Sequence, residues 1–130
     1  MKITKQEIIK AIQEEPLEGG SWITWNKDNT CKVCAVGAVL RKATKLDGRA
    51  LQNYCGEKVK YPHMANHDIA YLLTNGFYMS ALSTFFENTW EDLCDEEGDP
   101  DPNTEPEARK RTLNFVSMHF PEELGLHDYL

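Results

Sequence analysis

At 130 residues, with 41% hydrophobic and 10% aromatic side chains, the chain has the size and apolar content of one domain that builds its own core. Asp and Glu number 21 against 14 Lys and Arg, and the basic residues form no concentrated face, so direct binding of DNA or RNA through phosphates is not expected. The longest uninterrupted apolar run, Cys34 to Leu40, is far short of the roughly 20 residues a membrane-spanning helix needs.

Met1 to Lys5 leads straight into a charged amphipathic pattern, without the apolar stretch of a secretory signal, which points to the cytoplasm. There the four cysteines are expected to be mostly thiols. Thr4-Lys5-Gln6-Glu7 fits a capping box, with Ile3 and Ile8 placed as a hydrophobic staple. A first helix is therefore expected from about Lys5, with Ile8, Ile9, Ala11 and Ile12 on its apolar face. Glu15-Pro16 and then Gly19-Gly20 end it. Ser21 to Trp25 is aromatic and β-branched, Asn26 to Asn29 is turn-forming, and Thr30 to Val33 supplies a returning arm, so a small hairpin is expected.

The hairpin feeds the stretch around which the chain is organised. Val33 to Leu40 carries no charge, and Val33, Val36, Leu40 and Ala43 lie on one side of a helical wheel with Ala35 and Val39 on the other. A helix apolar all round is a buried one. Ala35, Gly37 and Ala38 leave so little bulk that a neighbouring backbone can approach closely. Asp47-Gly48 should break this central helix. Arg49 to Tyr54 reads as one or two turns, Glu57 to Tyr61 as a short strand, and Asn66 to Thr74 as another helix closed by Asn75-Gly76. Phe77 to Leu93 repeats at helical spacing through Leu82, Phe85, Phe86, Trp90 and Leu93. After a polar loop, Thr104-Glu105-Pro106-Glu107 resembles a second capping box. The last helix should bury Ala108, Leu113, Phe115, Val116 and Phe120 before Pro121 stops it. The expected fold is mainly α (α+β), a single domain of four or five helices around a buried central helix with a small β-hairpin.

The charge is concentrated. From Glu91 to Glu107 there are nine acidic residues and no Lys or Arg, and the loop 94–103 holds Gly98, Pro100 and Pro102, which marks it as solvated and mobile. Asp99-x-Asp101-x-Asn103 starts like a calcium loop, but Thr104 stands where Gly is needed and Lys110 where the closing Glu belongs. The functional reading left for Asp95, Glu96, Glu97, Asp99 and Asp101 is an electrostatic docking surface for a partner with a basic face, such as a groove that normally receives nucleic acid. The plain alternative is a linker that keeps the protein soluble.

Two further constellations carry chemistry. Cys31-x-x-Cys34 with His63-x-x-x-His67 is a legitimate tetrahedral zinc ligand set; with two thiolates and two imidazoles it would be structural, because no position stays open for substrate. The alternative is a buried helix cysteine and two surface histidines. A thiol at a helix N-terminus is also where cysteine hydrolases place a nucleophile, so Cys34 with His63, His67 or His119 as base, oriented by Asn66 or Asp68, is a second reading.

Cys34-Ala35-Val36-Gly37-Ala38, preceded by a Trp-containing segment and followed by Asn75-Gly76-Phe77, Ser80-Ala81-Leu82-Ser83, Phe86-Glu87 and a closing Phe120-Pro121, resembles a loose group of small phage and bacterial proteins with a "CAxGA" helix. Cys34 belongs to that pattern and Cys31 departs from it. The resemblance brings no activity with it. It implies a mobile-element setting, in which small acidic proteins are often inhibitors. The function expected is a phage-encoded acidic binding protein that inhibits a host protein such as a nucleic-acid-handling defence nuclease, in the manner of an anti-CRISPR protein. The alternative is a hydrolase using Cys34 and a histidine.

Overall fold

The computed structural model describes residues 2–19, 23–25, 31–45 and 76–125, with the backbone alone described at 23–25, 31, 43–44 and 76. In chain order these form β1 (Lys2–Thr4), α1 (Lys5–Glu14), β2 (Ile23–Trp25), β3 (Cys31–Val33), α2 (Ala35–Thr44), α3 (Gly76–Leu93), α4 (Thr104–His119) and β4 (Glu123–Gly125). The fold is mainly helical, with two small antiparallel sheets, β1–β4 and β2–β3. The segments 49–54, 57–61 and 66–74, for which turns, a strand and a helix are expected, lie outside the described residues.

Helix α1 starts where its capping chemistry dictates. The Glu7 amide donates to Thr4 Oγ1 and the Thr4 amide donates back to Glu7 Oε1, each at 3.1 Å, so two amide groups that the first turn would leave unpaired are satisfied reciprocally. At the other end Glu15 is extended (φ −82°, ψ 143°), as a residue before proline must be. Ile8, Ala11 and Ile12 are buried, and Ile3, expected as a staple, joins the same core from a strand.

That strand is one of two that local pattern does not reveal. β1 pairs with β4 in the register Lys2↔Gly125, Ile3↔Leu124 and Thr4↔Glu123; Leu124 is buried between exposed neighbours, and Ile3 between exposed Lys2 and half-buried Thr4. Three residues are too few to display a period of two, and the partners are separated by almost the whole chain. The expected hairpin is present, with Ile23↔Val33, Thr24↔Lys32 and Trp25↔Cys31. Beyond β3 lies a further edge: the Val33 amide donates to the Pro16 carbonyl and the Glu18 amide to the Val33 carbonyl, both at 3.0 Å, so the chain leaving α1 runs parallel to β3. The backbone of Gly19 then lies flush on the Trp90 indole, where a Cβ would come within 2.4 Å of the ring.

Every residue from Val33 to Leu40 is buried, as expected of a central helix. Helix α2 ends earlier than Asp47-Gly48, at Lys45, which takes the left-handed conformation (φ 59°) and donates its amide to the Arg41 carbonyl at 3.0 Å. Each of α2 and α4 packs against both α1 and α3. In α3 the buried residues are Met79, Leu82, Phe86, Thr89 and Trp90; in α4 they are Thr104, Ala108, Thr112 and Val116, one residue in four, a stripe that Phe120 continues just past the helix end. Leu113 and Phe115 flank the core instead of filling it.

The second capping box does not form. Thr104 is the first helical residue, preceded by Asn103, whose side chain makes no capping bond. The Thr104 hydroxyl turns inward, donating to the Leu93 carbonyl at 3.0 Å and accepting the Asp101 amide at 2.9 Å. It thereby ties the end of α3 to the start of α4, and a carbonyl left open at a helix C-terminus wins over a local cap. No helix among the described residues is long and apolar enough to cross a membrane.

Candidate functional site

Two of the places singled out by chemistry fall on described residues: the β3–α2 junction and the α3–α4 loop. At the junction Cys34 is the N-cap of α2, with extended backbone, and its Sγ accepts the Gly37 amide at 3.5 Å. Sulfur does here what a serine or threonine oxygen does at most helix starts. The side chain is 4% exposed. Burial pushes the thiol up to about 12, the negative charge of Glu87 on α3 adds to the rise, and the Gly37 hydrogen bond opposes it with a smaller effect. A helix N-terminus favours thiolate, but desolvation of the charged form outweighs it at this depth. An attacking thiolate needs the opposite environment, so the geometry of Cys34 weighs against the hydrolase reading. Among the proposed bases, the exposed ring of His119 rests on Phe115, with centroids 5.0 Å apart, and His63 and His67 lie outside the described residues.

The same two histidines decide the zinc reading. Of its four ligands the structure describes the side chain of Cys34 only; Cys31 is placed as the β3 residue paired with Trp25. Among the described residues no group of three or more His, Cys, Asp or Glu is placed to hold a metal ion.

The acidic loop is built with more order than its composition suggests. Asp95 Oδ1 accepts the amides of Glu97 and Asp99, each at 2.9 Å, and the Asp95 amide donates to the Asp99 carbonyl at 2.8 Å. Gly98, at φ +83°, closes this turn and donates to the Asp95 carbonyl at 2.9 Å. Asp101 Oδ1 accepts the Asn103 amide at 2.7 Å. Two of the five expected contact residues, Asp95 and Asp101, therefore spend carboxylate oxygens on the loop's own backbone, while Glu96, Glu97 and Asp99 are displayed on it. All of 95–103 is exposed, as a solvated loop should be, and these hydrogen bonds hold its backbone as a turn. The local field is visible at Cys94: its thiol is shifted upward first by desolvation, then by Asp95, Asp101, Asp99 and Glu91.

Two exposed residues escaped the sequence reading. Phe77 and Met118 are each 76% exposed; the available signal was that neither falls on the core stripe of its helix. No family model matches this chain, and neither a curated protein nor a solved structure is significantly similar to it.

Proposed function

We propose that the protein is a binding module whose α3–α4 loop docks on a basic surface of a host protein and thereby inhibits it, a nucleic-acid-handling defence nuclease being the kind of target that fits. The observation that carries this reading is the ordered turn at 95–103, which displays Glu96, Glu97 and Asp99 inside a stretch of nine acidic residues without a cation. A fixed array of carboxylates steers and orients a basic partner, and because each rim charge is worth little alone, several must be removed together to see the effect. The setting, a phage-encoded inhibitor in the host cytoplasm, rests on the resemblance of the Cys34 to Ala38 helix. A structural zinc held by Cys31, Cys34, His63 and His67 is the competing state of the junction, because a ligating Cys34 would be a thiolate and not the protonated thiol that its burial favours. One zinc per molecule in an elemental analysis of the purified chain would establish it, and a metal-free, folded protein would dispose of it.

The test of function combines Glu96→Gln, Glu97→Gln and Asp99→Asn, leaving Asp95 and Asp101 to hold the turn. Purified native protein, titrated into DNA-cleavage reactions of a panel of defence nucleases, should inhibit at least one, less strongly as salt rises, and the triple variant should be weaker by about tenfold or more. Inhibition untouched by the triple variant, or no inhibition across the panel, would sink the reading.

A further inference from the structure

The spacing of Cys31-x-x-Cys34 suggests two thiols that act together, but the backbone between them holds them apart. Lys32 and Val33 are both strand residues, and a strand rises about 3.3 Å per residue. The α carbons of Cys31 and Cys34 are therefore about 10 Å apart, against at most about 7 Å across a disulfide. Position 31 shares a face of β3 with Val33, while Cys34 leaves the strand to begin α2. This extension is held from both sides. On one, Ile23↔Val33, Thr24↔Lys32 and Trp25↔Cys31 pair β3 with β2. On the other, the Val33 amide donates to the Pro16 carbonyl and the Glu18 amide donates to the Val33 carbonyl. Cys34 is engaged as well, because its buried Sγ accepts the Gly37 amide.

A bond between the two sulfurs cannot form while these contacts stand, and the contacts are few. A two-stranded hairpin is marginal by itself, and this one has three-residue strands. We propose that Cys31 and Cys34 form a redox-sensitive latch: as two thiols they leave β3 paired and α2 capped, and as a disulfide they draw β3 out of both pairings and uncap α2. The chemistry is thiol–disulfide exchange with a small-molecule disulfide such as oxidised glutathione. A cysteine thiolate attacks it, giving a mixed disulfide and expelling one glutathione thiolate. The second cysteine attacks the mixed disulfide, closing the 31–34 bond and expelling the other. The two protons given up by the protein thiols pass to the two glutathione thiolates. Cys34, capped and buried, supplies its sulfur only after the junction opens, which ties bond formation to the loss of β3. Transient bonds of this kind are what redox-sensing cysteines form in a reducing compartment.

The test uses the full chain in a series of rising oxidised-to-reduced glutathione ratio and stands apart from any assay of inhibition. After remaining thiols are blocked, trypsin cuts at Lys32, so mass spectrometry finds the two cysteine peptides joined only where the bond has formed. Formation in buffer is expected to need at least about tenfold more oxidised glutathione than in urea, where β3 is absent. In the oxidised protein, hydrogen exchange at the Glu18 and Val33 amides should quicken by about tenfold or more, and dithiothreitol should restore their protection. Cys31→Ser under the same oxidant should keep both amides protected. The latch is overturned by a bond that forms as readily in buffer as in urea, by one that leaves Glu18 and Val33 protected, or by no bond at any ratio.

Discussion

Cys34 shows how much the role of one atom depends on depth. In sequence it looks like a nucleophile or a ligand, because a thiol at a helix start is where such groups sit. In the structure it is an N-cap wrapped in the core, with its ionisation pushed up to about 12. At neutral pH iodoacetamide should label Cys94, which is half-buried, much faster than Cys34, as mass spectrometry of the intact protein would show. The shift also predicts how stability responds to pH. In the unfolded chain the thiol ionises near 9.0 and in the folded chain near 12, so the folded state holds the proton more tightly. The contribution is complete below pH 9 and is lost as pH rises from there toward 12, by up to about 1.4 kcal/mol per pH unit. Urea titrations of the native protein and of Cys34→Ala across that range should differ in alkaline slope, the variant being flatter. Parallel slopes would mean the thiol is not buried as described. What the sequence could not supply at this scale was the packing of α3 and its Glu87 over the junction, since nothing in Cys34 to Ala38 encodes a neighbour some fifty positions away.

At the scale of elements, legibility followed local chemistry. The α1 capping box, the hairpin and the buried α2 were readable because each is specified by residues adjacent in sequence. The α4 box was misread because the hydroxyl of Thr104 had a better use, the open Leu93 carbonyl at the end of the preceding helix. The stripe of α4 was half-read for a related reason: Thr104 and Thr112 are buried, and a polar residue is invisible to a search for apolar spacing. Helix ends here are finished by cations from neighbours. Arg109 donates to the carbonyls of Ile12 and Gln13 at 2.7 and 2.6 Å and pairs with Glu105, and Lys5 donates to the Ser117 carbonyl at 3.1 Å. Arg109→Met should therefore cost about 1–3 kcal/mol in a denaturant titration, since it strips partners from the last turn of α1. Arg111→Met, which removes only an exposed pair with Glu107, should cost below about 1 kcal/mol. Equal costs would show that Arg109 is no more than another surface pair.

For the molecule as a whole, acidity is gathered at one end of the α3–α4 pair, where Glu91 to Glu107 hold nine carboxylates and no Lys or Arg. The acidity and exposure of the 95–103 loop were legible from composition; the exposure of Phe77 and Met118 was not, because exposure of an apolar residue is a property of packing. The same limit hid the β1–β4 sheet, whose strands meet only once α1 and α4 lie antiparallel. The sheet makes the two regions of chain energetically one. Ile3→Ala and Leu124→Ala should each cost about 2–5 kcal/mol, and the double variant should cost clearly less than their sum, because either truncation already loosens the shared contact. Additive costs would separate the strands.

The register of that sheet also fixes a direction. Lys2 and Gly125 face each other at one end of the ladder and Thr4 and Glu123 at the other, so tension applied through Lys2 and Gly125 loads the rungs one after another, as a zipper, and never all together in shear. The helices behind the ladder begin to carry load once its three rungs have opened. The molecule should accordingly be mechanically soft along this axis however stable it is to heat, yielding first by peeling the β1–β4 seam and only then by drawing α1 off α4.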